Sequence, residues 1–176
     1  FWIYLLTQNQ LYLEELALSW DNNIYSLYAK ELLNLQIDNI EYSIPLKNTK
    51  SSFNIYDPFE WMKVLDDTKK NFDEQKLQKY ENLFSDENTL VHHAFILERF
   101  TKYKKQYFIT PYRNIIKNYD LEKQVLIYSI ARQESHFIPS SISFSSAQGV
   151  MQIMPFLSSD IAKKLNENYN VYEQFI

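Results

Sequence analysis

The sequence of 176 residues contains a single glycine, Gly149. A chain of this length with average composition would contain about twelve. Loops that bind phosphate through backbone amides need several glycines within a few residues, and tight β-hairpins also depend on glycine in turns of positive φ. The glycine count therefore excludes phosphate-loop and dinucleotide-binding sites and favours an all-α protein.

Composition narrows the possible functions further. Hydrophobic residues make up 45% of the chain, which is enough for a packed core. A net charge of −4 argues against a protein whose whole surface binds nucleic acid. Without cysteine there is no disulfide, no thiol catalysis and no cysteine-ligated zinc. No apolar run is long enough to cross a membrane, and the first ten residues lack the features of an intact signal peptide.

Apolar residues recur at helical spacing along most of the chain. Asp57-Pro58 and Asp120 are helix-start signals, the second of them for a helix over residues 121–135. Successive short helices favour a superhelix or an array of helical hairpins. We therefore predict a helical scaffold over residues 1–106 and a second domain over residues 107–176. Further helices are predicted near residues 11–20, 24–35, 72–84, 88–105 and 111–118.

One carboxylate lies on the apolar side of the helix predicted over residues 121–135. Glu134 shares a helical face with Ile127 and Ala131. Burial and the negative end of the helix dipole both disfavour an anion at this place, so a carboxyl here is suited to act as a general acid. The alternative is a carboxylate that reaches past the helix end into water, or that pairs with a cation such as Arg132.

The stretch ARQESHFIPSSISFSSAQGVMQIMP, residues 131–155, resembles the signature of the soluble lytic transglycosylases. That family has a helix ending Arg-Gln-Glu-Ser, then an aromatic residue, a proline and a serine. Two glycines three residues apart follow, then an aliphatic residue, Met-Gln, an aliphatic residue and Met-Pro. The matching residues here are Arg132, Gln133, Glu134, Ser135, Phe137, Pro139, Ser143, Gly149, Val150, Met151, Gln152, Ile153, Met154 and Pro155.

The resemblance implies a fold and an activity. It implies a helical superhelix followed by the N-terminal part of a lysozyme-like, all-α catalytic domain. Such enzymes are lyases that cleave the β-1,4 bond between N-acetylmuramic acid and N-acetylglucosamine in peptidoglycan without water. They leave a 1,6-anhydro sugar on the muramic acid. Glu134 matches the carboxyl that protonates the leaving oxygen and then accepts the proton of the muramyl 6-hydroxyl.

The resemblance also implies supporting roles. It places Ser143, Gln152 and Met154 at the substrate, and Ser135, Pro139 and Gly149 as structural residues of the motif. It implies peptidoglycan glycan strands as the partner, a periplasmic location, and neither a metal nor an organic cofactor. From the residues alone, Met154 is equally consistent with a core position, and Ser143 and Gln152 with a solvated loop.

The distribution of acidic residues agrees with a single-acid mechanism. Ordinary glycosidases use two carboxylates that flank the scissile bond. No Asp or Glu lies between Glu134 and Asp160. A second carboxylate would therefore have to come from a segment distant in sequence.

The chain also departs from the family pattern. Ser146 stands where the first of the two glycines is usual, and Phe144 and Phe156 replace a common proline and glycine. We therefore expect a differently shaped turn near residues 144–148. The family's catalytic module runs well beyond the residues present here. We expect the chain to hold its opening part, truncated on the C-terminal side, and such a part can be inactive by itself.

Other patterns leave alternatives open. His92 and His93 point about 100° apart on a helix, so a shared metal is not expected. Residues 99–117 contain six Lys or Arg and no acid, which fits a nucleic-acid backbone, the carboxylates of peptidoglycan, or simply a solvated face. We expect no nucleic-acid partner.

The alternatives to a transglycosylase are a lysozyme-like hydrolase that uses a positioned water, and a non-catalytic helical binding module with a remnant of the motif.

Overall fold

The computed structural model describes residues 1–19, 21–47 and 49–171. The described residues form nine α-helices, one 3-10 turn and one pair of two-residue parallel strands, which confirms the all-α prediction. The helices are α1 Trp2–Thr7, α2 Leu11–Ala17, α3 Ile24–Leu32, α4 Pro58–Lys69, α5 Glu74–Leu83, α6 Leu90–Phe100, α7 Arg113–Ile116, α8 Leu121–Ser135 and α9 Pro155–Leu165. The strands are β1 Ile40–Glu41 and β2 Gln106–Tyr107, and the 3-10 turn is Glu87–Thr89. Residue 20, at the end of the first predicted helix, and residues 172–176 of the predicted second domain lie outside the described residues.

Two helix starts that the sequence predicts are confirmed. An Asp57 carboxylate oxygen accepts the backbone N–H of Phe59 at 2.8 Å, and Pro58 occupies the first turn of α4, where its missing N–H costs nothing. Asp120 accepts the backbone N–H of Lys123 at 2.9 Å at the start of α8. In both helices the aspartate satisfies a donor that has no partner inside the helix.

Three helices differ from the prediction, and the strands β1 and β2 were not predicted. The helices α1 and α9 were not predicted, and α7 has four residues instead of a helix over 111–118. α9 begins at Pro155, the last residue of the motif, which fits the first position of a helix. In the β1–β2 pair, Ile40 lies opposite Gln106, and this pair connects the long polar loop to the segment that follows α6.

The main core lies around α4, α5 and α6 and continues into the end of α8. Its buried members are Ile44, Trp61, Val64, Tyr80, Phe84, Val91, Ala94, Ile96, Ile109, Ala131, Phe137 and Ile138. These residues come from both sides of the predicted boundary between residues 106 and 107. The scaffold and the motif segment therefore share one core, while the boundary itself stays a prediction. A smaller cluster of Leu13, Ala17 and Ala29 holds α2 against α3.

His92 of α6 lies inside the main core. Its ring is fully buried and contacts the rings of Phe53, Trp61 and Phe84, with centroid distances of 5.1, 5.1 and 5.4 Å. Neither ring nitrogen has a hydrogen-bond partner within the described residues. Burial lowers the pKa of His92 to about 3, so the ring is neutral near neutral pH.

Candidate active site

Glu134 lies in the last turn of α8. Its side chain is exposed and makes no hydrogen bond or ion pair with any residue that the structure describes. Of the two positions that the sequence leaves open, the structure shows the exposed one, a carboxylate that reaches into water at the helix end, and not the buried one. α8 packs through Ala131 and Ser135, its two buried residues, and Glu134 points about 100° away from Ser135.

Apolar residues occupy more than one side of α8, which explains why periodicity left both positions of Glu134 open. Leu121, Val125 and Leu126 are more than half exposed, although they are as apolar as the residues that pack. When a helix is apolar on two sides, periodicity alone does not show which side is buried. The structure leaves Glu134 accessible at the end of the helix.

The two halves of the motif are bound to each other. Ser135 Oγ donates a hydrogen bond of 2.7 Å to the backbone carbonyl of Val150. The Tyr112 hydroxyl donates to the carbonyl of Phe137 at 2.9 Å, just past the helix end. Pro139 is buried beside these contacts. The turn that carries Glu134 is therefore fixed against the loop of residues 140–154.

Ser143 closes the first turn of this loop. Its N–H donates to the Ala147 carbonyl at 2.9 Å, and its Oγ accepts the Ala147 N–H at 2.9 Å. Ser146, within the turn, has φ of 68°. This left-handed conformation is the one that glycine adopts most readily, and it is the position where the family usually has glycine. The turn therefore has a backbone conformation that favours glycine, although serine occupies it, and the expected difference in shape from the family's turn stays a prediction.

Gly149 lies at the second turn of the loop, buried and with φ of 76°. Its N–H donates to the Ser141 carbonyl at 2.9 Å. The Gln152 side-chain amide donates to the carbonyls of Gly149 and Ser141, at 2.9 and 3.1 Å. Met154, half-buried, precedes α9 as its capping residue. Gln152 therefore stabilises the loop, and the substrate roles of Gln152, Met154 and Ser143 stay predictions.

A second carboxylate, which the sequence analysis missed, is bound to the same helix end. Glu98 of α6 has a side chain that is 1% exposed. Its Oε1 accepts hydrogen bonds of 2.7 Å from the Arg132 guanidinium and from the Tyr107 N–H, and its Oε2 lies 3.2 Å from His136 Nδ1. Burial raises the pKa of Glu98, but the contacts with His136, Arg132 and Tyr107 outweigh burial, so that the pKa lies below its usual range and the carboxyl is ionised.

The sequence held a signal for Glu98. Val91, Ala94 and Glu98 follow one another at helical spacing, and Val91 and Ala94 are buried. This is the pattern that suggested a buried carboxyl at Glu134. Helical spacing with buried apolar residues does indicate a buried carboxylate in this protein. That carboxylate is Glu98 of α6, whereas Glu134 of α8 is exposed.

Two cavities adjoin α8. A polar cleft of about 600 Å³ separates the start of α3 from α8, and its lining includes Asn22, Asn23, Tyr103, Gln133 and His136. An apolar pocket of about 320 Å³ lies between α7 and α8, with Tyr112, Ile115, Ile127, Tyr128 and Met151 in its wall. Neither wall includes Glu134.

The described residues contain no group of three His, Asp or Glu side chains arranged to hold a metal ion. Among the helices of the described ranges, none has the length and apolar character needed to span a bilayer.

Two cations of the basic stretch 99–117 make contacts that stabilise the fold. Lys105 pairs with Glu41 at 2.7 Å, and the Arg99 guanidinium donates to two carbonyls of α4.

The motif segment matches a known family. Residues 111–174 match the family model of the transglycosylase SLT domain. Among solved structures, the crystal structure of the 70 kDa soluble lytic transglycosylase from Escherichia coli is similar at 21% identity with a TM-score of 0.49. The similarity covers 94% of this chain and 29% of that one, so this chain spans less than a third of that protein's length. No curated protein matches the sequence. The match of residues 111–174 to the transglycosylase SLT domain model confirms the resemblance that the motif carries.

Proposed function

We propose that the protein is a peptidoglycan lytic transglycosylase in which Glu134 acts first as acid and then as base. The observation that supports this most strongly is the setting of Glu134 in a segment of the SLT domain family. Its carboxyl is exposed, and the turn that carries it is held by the Ser135–Val150 hydrogen bond. A general acid needs both access to the glycosidic oxygen and a fixed direction of approach.

The proposed reaction moves one proton twice. The Glu134 carboxyl protonates the glycosidic oxygen as the bond from muramyl C1 to that oxygen breaks, and N-acetylglucosamine leaves. The resulting carboxylate accepts the proton of the muramyl 6-hydroxyl as its oxygen bonds to C1. The carboxyl is regenerated, no water is consumed, and the product is a 1,6-anhydromuramyl sugar.

The second carboxylate near this helix end is unsuited to the role of a nucleophile. The side chain of Glu98 is 1% exposed, its Oε1 accepts hydrogen bonds from Arg132 and from the Tyr107 N–H, and its Oε2 is enclosed 3.2 Å from His136 Nδ1. A retaining glycosidase needs a second carboxylate that is free to attack the sugar. The engagement of Glu98 therefore favours a mechanism in which the substrate's own hydroxyl is the nucleophile.

We further propose that Ser143, Gln152 and Met154 lie beside the bound glycan and that the protein acts in the periplasm, where peptidoglycan is found. The loop of residues 140–154 is bound to the end of α8 and so has a fixed position relative to Glu134.

The mechanism requires neither metal nor organic cofactor. A nucleic-acid partner is disfavoured, since Lys105 and Arg99 of the basic stretch are used within the fold.

The test is the variant Glu134→Gln, made in the full-length protein and assayed on purified peptidoglycan. Glutamine keeps the shape of the side chain but cannot donate a carboxyl proton. We expect kcat to fall by roughly 10²–10⁴, the contribution typical of a general acid, while binding of insoluble peptidoglycan is retained. Because Glu134 is exposed and makes no hydrogen bond or ion pair among the described residues, the midpoint of thermal unfolding should be unchanged.

Glu122→Gln is the matched control. Glu122 lies in the first turn of the same helix and is exposed, so its replacement should leave turnover at the wild-type rate. Turnover that survives Glu134→Gln would refute the assignment of the catalytic residue. A wild-type protein that binds peptidoglycan without cleaving it would favour the non-catalytic binding module.

A further inference from the structure

We propose that Glu98 is a positioning residue for the catalytic carboxyl, acting through Arg132 and His136 to hold the last turn of α8. This proposal rests on the function proposed above for Glu134. Glu98 belongs to the helical scaffold and lies outside the segment that matches the SLT domain family. A positioning role for Glu98 would mean that the helical scaffold contributes to the geometry of the catalytic site.

The contacts of Glu98 bracket Glu134 in the sequence. Arg132 precedes Glu134 by two residues and His136 follows it by two. One carboxylate contacts both: its Oε1 accepts a hydrogen bond from Arg132 at 2.7 Å, and its Oε2 lies 3.2 Å from His136 Nδ1 without a hydrogen bond between them. The same oxygen that binds Arg132 also accepts the Tyr107 N–H at 2.7 Å, which anchors the group to β2. Displacement of the helix end would therefore break contacts on both sides of the catalytic residue.

The backbone at this helix end needs such support. His136 and Phe137 have φ of 52° and 67°, so that two successive residues with side chains adopt the left-handed conformation. This conformation is unfavourable for residues other than glycine and persists only where surrounding contacts impose it. Here the His136 ring lies against Glu98 and against the Phe95 ring, at a centroid distance of 5.5 Å.

Arg132 is fixed from several directions. Its guanidinium donates to Glu98 Oε1 and to the Tyr107 carbonyl at 2.9 Å, and it stacks over the Phe108 ring at 4.3 Å from the centroid. Glu98 supplies the only negative charge among these contacts. Loss of that charge would leave a largely buried guanidinium without compensation, which favours rearrangement of the side chain and of the helix turn that carries it.

The experiment compares Glu98→Gln with wild type in the full-length protein. Glutamine retains an oxygen for Arg132 and the Tyr107 N–H but removes the charge. We expect kcat on peptidoglycan to fall at least tenfold while KM changes by less than twofold, because the glycan contacts are intact and the acid is misplaced. Glu87→Gln, an exposed carboxylate next to α6, is the control and should match wild type.

Two further readouts separate positioning from a general loss of structure. Amide hydrogen exchange should accelerate at least tenfold at residues 134–137 in Glu98→Gln and stay within twofold of wild type in α5. In a double-mutant cycle, Arg132→Met combined with Glu98→Gln should lower kcat by less than the product of the two single effects, because the two changes remove the same Glu98–Arg132 contact.

The outcomes are distinguishable. A Glu98→Gln protein with wild-type kcat, or with unchanged exchange at residues 134–137, would overturn the positioning role. Equal acceleration of exchange throughout the chain would also overturn it, in favour of a purely structural role. If wild type forms no anhydro product, or Glu134→Gln remains active, the proposed function fails. The hydrogen-exchange result then still decides whether Glu98 holds the helix end.

Discussion

The fully buried ring of His92 in α6 makes the free energy of unfolding depend on pH, and substitution of His92 removes that dependence. His92 is fully enclosed by Phe53, Trp61 and Phe84 and has no hydrogen-bond partner within the described residues. The perturbation is His92→Phe, which replaces a neutral ring with an apolar ring of similar shape in a pocket already built from aromatic side chains.

The magnitude follows from the pKa of His92 in the two states. Burial in the folded protein lowers that pKa to about 3 from the ordinary histidine value of 6.5, which applies in the unfolded chain. Between these values the unfolded chain binds a proton that the folded protein does not. The contribution of a neutral His92 is fully present above pH 6.5 and is lost as pH falls toward 3. At pH 4 the loss amounts to about 3 kcal/mol.

The assay is urea unfolding of wild type and His92→Phe between pH 7.5 and pH 4, with the free energy of unfolding taken from the linear extrapolation. We expect the two proteins to differ at pH 4 by about 3 kcal/mol more than at pH 7.5, with the variant the more stable at pH 4. His93→Gln is the comparison. Burial also lowers the pKa of His93, but the Glu81 carboxylate 4.0 Å away opposes that effect, so a smaller change is expected. Parallel pH curves for wild type and His92→Phe would refute the reasoning.

Two other substitutions test the loop behind the catalytic turn, both by urea unfolding at pH 7. Gly149→Ala should lower the free energy of unfolding by about 1–2 kcal/mol, because φ of 76° brings a Cβ too close to the backbone; an unchanged value would show that the turn relaxes to accept a side chain. Ser135→Ala should cost about 1–2 kcal/mol through loss of its bond to the Val150 carbonyl. If Ser135→Ala costs nothing, this bond does not join the two halves of the motif.

The helix starts were predictable because their physical causes are local. Asp57, Pro58 and Asp120 act on backbone groups within three residues of themselves, so the sequence contains the whole interaction. The same holds for the motif, whose residues lie within one continuous stretch. The resemblance that this stretch carries is confirmed by the match of residues 111–174 to the SLT domain model.

The remaining features depend on contacts between distant segments. The strand pair joins Ile40 to Gln106 through two residues on each side, too few to give a pattern. The exposure of Glu134 and the burial of Glu98 depend on which side of each helix faces the core. Apolar spacing shows that a helix has a packing face, but on α8 it did not identify that face. Only the arrangement of α6 against α8 shows that the buried carboxylate and the accessible one are different residues.

The most direct test of the proposed reaction is the identity of its product. Purified peptidoglycan is digested with the full-length protein, and the released muropeptides are analysed by mass spectrometry. Transfer to the muramyl 6-hydroxyl predicts fragments that end in 1,6-anhydromuramic acid, each lighter by one water than its hydrolytic counterpart, and none from Glu134→Gln. Fragments that end in reducing muramic acid would contradict this account and identify a hydrolase that uses a positioned water.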